Sequence, residues 1–132
     1  MIAIDTNVLV RIIVEDVGQA EQTKIARELA KKAQKIYLTQ IVQVETTWVL
    51  AKVYKLNKPD LIAALDHLLE NPAFVLQNLE SFQTALGLFK QSQADFADCL
   101  ILVESQHVQT MLYTFDKRLG KHPDTSLIWQ YE

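Results

Sequence analysis

Apolar residues follow two patterns along the chain, short continuous runs and longer stretches in which they return every three or four positions. The short runs predict buried strands at residues 1–5, 36–39, 73–76, 109–113 and 126–129. The longer stretches predict helices at residues 8–14, 17–34, 40–54, 59–70 and 81–93. Because strands and helices alternate, the pattern favours an α/β fold with a parallel sheet.

The apolar run at residues 99–103 suits either a buried strand or a buried helix, because periodicity does not separate the two. We predict a helix, since the alternation of elements calls for a crossover at this point. The spacing of Asp95 and Asp98 also puts both acids on one helical face with Leu102.

The predicted helix at residues 40–54 carries an acid among large apolar side chains. At helical spacing, Glu45 shares a face with Trp48 and Val49. We therefore expect Glu45 to point towards the body of the protein. The alternative is a Glu that is merely favoured by the positive end of the helix dipole.

Composition narrows the class of protein. The chain has 132 residues, which suits one domain spanning residues 1–132. The net charge is −3, so nucleic-acid binding would need a local basic patch or metal ions. The single cysteine, Cys99, excludes an internal disulfide and suggests a reducing compartment. No signal peptide and no long apolar run is evident, so we expect a cytoplasmic protein that does not span a membrane.

Acidic residues recur where strands end and where helices begin. These two kinds of position share one edge of a parallel sheet, so the acids are expected to converge there. The candidates are Asp5 and Asp116 after strands, and Glu45, Asp95 and Asp98 in the first turns of helices. For the first of these, the alternative is that Asp5 or Asn7 simply caps the following helix.

Clustered carboxylates raise each other's pKa and cannot all stay ionised unaided. A hard divalent cation such as Mg²⁺ or Mn²⁺ solves this, activates water and stabilises phosphoryl displacement. The pattern therefore suggests a phosphodiester substrate. Zinc is disfavoured, because His67, His107 and His122 have no partner at metal-ligand spacing.

Polar and basic residues flank the acids. Thr6, Asn7 and Thr114 either orient a carboxylate or a metal-bound water, or only cap helices and turns. Arg11 lies among apolar residues and needs a partner, for which an acid of the cluster and a substrate phosphate are both candidates. The two residues after Asp116 are basic. Lys117 and Arg118 are candidates for contacts with RNA phosphates, and the alternative is that they lie in a solvated loop.

Four motifs in order along the chain resemble the PIN domain, and most closely the VapC toxins of bacterial and archaeal toxin–antitoxin pairs. They are Asp5-Thr6-Asn7-Val8-Leu9, Glu45 ahead of Trp48-Val49-Leu50, Asp95-Phe96-Ala97-Asp98-Cys99, and Thr114-Phe115-Asp116-Lys117-Arg118. The resemblance covers essentially the whole chain. It implies a Rossmann-like three-layer fold, in which helices cover both faces of a parallel sheet.

The resemblance also implies a function. It implies a Mg²⁺- or Mn²⁺-dependent endoribonuclease that cleaves RNA, forms a homodimer and is inhibited by a VapB-like antitoxin. Asp5, Glu45 and Asp98 match the family's first three acids, and Asp116 matches the fourth, so these are the expected catalytic and metal-binding residues. Asp98 is preferred to Asp95 because the family's third acid directly precedes an apolar helix; Asp95 is then an outer carboxylate or a cap.

Two other functions remain open. A response-regulator receiver shares the size, the parallel architecture and an acidic Mg²⁺ pocket, but it has adjacent acids after its first strand, where Asp5 stands alone. The second alternative is a catalytically silent protein that works by binding a partner. An apolar dimer face that includes Trp48 or Trp129 would serve that role.

Overall fold

Residues 1–128 are described by a computed structural model, in which the chain forms two compact units, Met1–Leu79 and a second that begins at Glu80. Both units combine α-helices with parallel strands, which confirms the predicted α/β class. The expectation of a single domain over residues 1–132 stays a prediction.

The first unit is built on a parallel sheet of three strands in the order β1-β2-β3. They are β1 (Ile2–Ala3), β2 (Ile36–Leu38) and β3 (Phe74–Leu76). In the register of the sheet, Ile36 lies between Ile2 and Phe74. Ile36, Leu38 and Phe74 are buried, as expected of strands that read as short apolar runs.

Helices connect these strands in pairs. They are α1 (Thr6–Ile13) and α2 (Ala20–Ala33) between β1 and β2, and α3 (Gln40–Lys52) and α4 (Lys58–Glu70) between β2 and β3. A 3₁₀ turn at Val17–Gln19 precedes α2. The helix α1 begins at Thr6 rather than at residue 8, because the Asp5 carboxylate accepts the N–H of Val8 and so caps it.

The second unit contains two helices and a two-stranded parallel sheet. These are α5 (Leu79–Gln91), α6 (Phe96–His107), β4 (Leu112–Thr114) and β5 (Thr125–Leu127), with a 3₁₀ turn at Leu119–Lys121 between the strands. The helical interpretation of residues 99–103 is therefore confirmed. Phe96 on α6 packs edge-on against Phe82 and Phe89 on α5, with ring centroids 5.5 and 6.1 Å apart.

The face of α3 that is buried differs from the face that the apolar pattern predicted. Glu45 is exposed, as is Trp48 at 60%, so the expectation that Glu45 points into the body of the protein is wrong. Gln43 and Thr47 are buried instead. They can be buried because their side chains hydrogen-bond to backbone carbonyls.

Along residues 1–128, no helix is long and apolar enough to cross a membrane. Trp129, the second residue suggested for an apolar dimer face, and the end of the strand predicted at 126–129 lie outside the described residues.

Candidate active site

Asp5 follows β1 and begins α1. Its Oδ1 accepts the N–H of Val8 at 3.1 Å, so the capping role belongs to Asp5 and not to Asn7, which lies within the helix. Capping orients the carboxylate at the carboxyl end of the sheet, which is where ligands bind in open parallel sheets. The cap and a chemical role for Asp5 are therefore compatible.

Thr6 links this strand end to α3. Its side chain is almost fully buried, and its hydroxyl donates to Oε1 of Glu45 at 2.6 Å. The two residues are 39 positions apart in sequence, yet this hydrogen bond places the Glu45 carboxylate beside the residue that follows Asp5. A short hydrogen bond to a carboxylate restricts its orientation, which is what a metal ligand or a general base requires.

We expect Thr6→Val to lower the catalytic efficiency of the protein on RNA about tenfold, because Glu45 loses the donor that orients it. Valine has nearly the shape of threonine, so the melting temperature should change little. A matched control is Thr47→Val, which is equally buried at 8% but donates to the carbonyl of Val44. Equal losses of cleavage in the two variants would contradict an orienting role for Thr6.

Arg11 has partners that the sequence did not indicate. Its Nε donates to Oε1 of Gln22 at 2.9 Å, and its Nη1 donates to the hydroxyl of Tyr54 at 3.0 Å. Tyr54 in turn donates to Oδ2 of Asp16 at 2.8 Å. Burial, and next the hydrogen bond to Asp16, raise the pKa of Tyr54 above its ordinary value, so the phenol stays a donor.

Arg11 also lines a groove of about 450 Å³ in the first unit. Asp5 and Asn7 lie along the same groove, together with apolar residues of α2 such as Ile25 and Leu29. Arg11 is thus held by neutral partners and carries its charge beside a groove that also contains a candidate acid. Its proposed contact with a substrate phosphate stays a prediction.

In the second unit, Asp95 and Asp98 lie at the start of α6. Asp95 is the N-cap residue, and its Oδ1 accepts the N–H of Asp98 at 2.8 Å. This hydrogen bond confirms the capping alternative for Asp95. It also fixes the Asp95 carboxylate next to the half-buried Asp98.

Asp116 follows β4 and is held by the backbone. Its Oδ1 accepts the N–H groups of Arg118 and Leu119 at 2.8 and 3.0 Å, and its own N–H donates to Oγ1 of Thr114 at 3.0 Å. Thr114 therefore positions the main chain of Asp116 rather than its carboxylate. The neighbouring Lys117 and Arg118 are exposed.

The three acids of the second unit act on one another electrostatically. The pKa of Asp98 is raised from 3.8 to about 6 by burial, and then by the negative charges of Asp95 and Asp116 and a hydrogen bond with Asp95. The positive charge of Arg118 opposes this rise. Asp95, Asp98 and Asp116 therefore lie close enough to form a local negative field at the start of α6.

Oxygen donors of this kind suit a hard divalent cation. Within residues 1–128, no three side chains of His, Cys, Asp or Glu are placed as a finished set of metal ligands. The mutual repulsion at Asp98 is nevertheless the kind that a bound cation relieves, so the chemistry of these residues fits such an ion. That Asp5 and Glu45 act together with Asp98 and Asp116 is an expectation from sequence and stays a prediction.

Sequence reasoning missed two sets of contacts, the Thr6–Glu45 hydrogen bond and the chain from Arg11 through Tyr54 to Asp16. Their partners are separated by 38 to 43 positions in sequence, and no local spacing signals them. The histidines lie at the surface or in turns, and His67 and His107 are exposed. His122 fits this, since its Nδ1 accepts the N–H of Asp124 in a turn.

Comparison with known proteins identifies the family. The sequence model of the PIN domain matches residues 2–124, so the chain belongs to the PIN domain family. This confirms the predicted three-layer α/β fold class and removes the support for a receiver-like module. The chain is also similar to a VapC ribonuclease from Aquifex aeolicus (strain VF5), with 24% identity over 120 residues that cover 89% of each protein.

Proposed function

We propose that the protein is a VapC-type endoribonuclease that hydrolyses RNA phosphodiester bonds with the help of Mg²⁺ or Mn²⁺. The proposal is carried by membership of the PIN family together with the acids that hydrogen bonds hold in place, Asp95 at the start of α6 beside Asp98, and Asp116 after β4. The similarity to a protein named as a VapC ribonuclease supports the same activity.

In this proposal Asp5, Glu45, Asp98 and Asp116 are the catalytic carboxylates and would hold the cation. A bound divalent cation would supply Lewis-acid activation of water and would stabilise charge on the phosphate. Thr6 orients Glu45 through its hydroxyl, and the backbone N–H groups of Arg118 and Leu119 fix the Asp116 carboxylate.

Basic side chains would place the RNA. Arg11, Lys117 and Arg118 are proposed to contact phosphates, which a chain with a net charge of −3 needs in order to approach RNA. The negative charges of the acids would weaken the approach of a phosphate, and a bound cation would offset that repulsion. Asn7 and Asp95 are proposed to act from outside the set of metal ligands.

We further propose a homodimer, inhibition by a VapB-like antitoxin and action in the cytoplasm. Large apolar side chains on α3 support a protein partner, because Ile41 is 70% exposed and Trp48 is 60% exposed. A catalytically silent protein that only binds a partner would use the same surface. The cleavage assay described next distinguishes the nuclease from the silent partner-binding protein.

The test is cleavage of structured and single-stranded RNAs by the purified protein in Mg²⁺, in Mn²⁺ and in EDTA. We expect cleavage with either metal, none in EDTA, and a higher melting temperature when the metal is added, because the cation binds only the folded state. A protein that cleaves no RNA and whose melting temperature does not respond to either metal would refute the nuclease and favour the silent partner-binding function.

A further inference from the structure

The second unit contains a concave region that adjoins the candidate acids and has so far been given no role. It is a pocket of about 420 Å³, within the range of about 300–1,000 Å³ that is usual for small-molecule sites. The pocket lies between the end of α5, the segment that leads to Asp95, and the turn that follows Asp116. Its wall is largely apolar and includes Leu88, Leu102 and Pro123.

The polar groups of this pocket are cationic or neutral. Arg118 and Lys121 carry positive charge, and Gln91 and Gln93 contribute amides. None of the residues that line the pocket in the described part of the chain is acidic, although the whole chain is acidic by three charges. A pocket with an apolar wall and a positive rim is complementary to a ligand that has an apolar plane and an anionic group.

His122 also lines the pocket. Its Nδ1 accepts the N–H of Asp124 at 3.0 Å, which holds the ring in the turn after the 3₁₀ helix. Gly120 allows this turn to pack closely, since a Cβ at that position would come within 3.0 Å of Leu127.

Arg118 connects the pocket to the acids. It lines the pocket, and its positive charge also acts on Asp98. Ala94, another lining residue, directly precedes Asp95. A strand that has one phosphate at the acids can therefore reach the pocket with a neighbouring nucleotide.

We propose that this pocket binds one nucleotide of single-stranded RNA next to the scissile phosphate, with its base against the apolar wall and its phosphate on Lys121 and Arg118. The proposal rests on the proposed nuclease function and specifies how that site holds its substrate. Single-stranded RNA is required because a base in a duplex is not free to enter a pocket.

The test uses substitutions that each alter one charge. Gln91→Glu puts a negative charge in the pocket, whereas Gln83→Glu puts the same charge on an exposed position of the same helix. Lys121→Gln removes a positive charge from the rim, and Lys90→Gln removes one from α5 outside the pocket. Gln93→Glu is a second pocket variant beyond the end of α5, in case a Glu at the helix end lowers stability.

Binding of a fluorescein-labelled single-stranded RNA would be measured by anisotropy in EDTA, where cleavage is off. We expect Gln91→Glu and Gln93→Glu to raise Kd about fivefold relative to Gln83→Glu. This is the factor for repulsion in water between the new carboxylate and an RNA phosphate about 4 Å away. The logarithm of the association constant should fall less steeply with the logarithm of salt concentration for Lys121→Gln. The slope should be smaller in magnitude by about 0.7, as for one lost phosphate contact. Adenosine monophosphate should compete with the RNA for the wild type and compete less well for Gln91→Glu.

Each outcome separates the pocket from the nuclease when cleavage with Mg²⁺ is assayed in parallel. Cleavage and binding that are the same in the pocket variants and their controls would overturn the pocket and leave the nuclease intact. Binding that depends on Gln91 and Lys121 without any cleavage would support the pocket as an RNA site and refute the nuclease. A wild type that neither binds nor cleaves RNA would overturn both the pocket and the nuclease. If the mononucleotide competes but the variants bind RNA as their controls do, the pocket is not an RNA site.

Discussion

Asp98→Asn is expected to lower RNA cleavage about a thousandfold while leaving the metal-free protein at least as stable as the wild type. Loss of one preorganised electrostatic group at a catalytic centre typically costs about 10²–10³-fold in rate. Stability should not fall, because the amide removes a half-buried negative charge that Asp95 and Asp116 repel.

The same substitution makes a prediction about pH. The pKa of Asp98 is raised from 3.8 to about 6 in the folded protein, so between these values the folded state holds a proton that the unfolded state has released. Stability of the wild type should therefore fall as pH rises through this window. Asp98→Asn lacks this titration, so its stability advantage should grow from pH 4 to pH 7.

The expected gain at pH 7 is about 1 kcal/mol in free energy of unfolding, well below the full value of the shift, because solvent screens a carboxylate that is only partly buried. Urea denaturation at several pH values measures it. Asp60→Asn is the control, since Asp60 is an exposed carboxylate in the first turn of α4. A marked loss of stability in Asp98→Asn at pH 7 would mean that Asp98 is structural.

Gln43→Met is expected to have the largest effect on stability, a loss of about 2 kcal/mol. Gln43 is completely buried, and its Nε2 donates to the carbonyls of Leu38 at 3.1 Å and Gln77 at 3.0 Å. It therefore joins the ends of β2 and β3. Methionine keeps the length of the side chain but removes both hydrogen bonds. The Leu38 carbonyl keeps the backbone N–H of Gln77 as a donor, whereas the Gln77 carbonyl loses the donor from Gln43, at a cost of about 1–3 kcal/mol.

The loss is reduced because Oε1 of Gln43 is buried without a hydrogen-bond partner among the described residues, and methionine removes that atom. Urea denaturation with an unchanged m value would measure the effect. Gln83→Met, at an exposed position of α5, should stay within about 0.5 kcal/mol of the wild type. If Gln43→Met were equally neutral, Gln43 would not hold the strand ends together.

The sequence by itself determined the elements and the acids at their ends, because these depend on local physics. Helical and strand periodicity depends on neighbours a few positions apart, so the helix at residues 99–103 was predictable. Helix capping is equally local. Asp5 and Asp95 were recognisable as cap candidates because each lies just before an apolar helix, and the structure confirms both caps.

Tertiary structure alone decided which faces are buried and which distant groups meet. The apolar neighbours of Glu45 on α3 indicated that this acid points inside, yet the buried positions include Gln43, because its donors reach carbonyls at the ends of β2 and β3. The hydrogen bond from Thr6 to Glu45 likewise depends on how two helices pack. Burial of a polar group is stable only when a partner is in reach, and that partner is supplied by chain segments that no local pattern specifies.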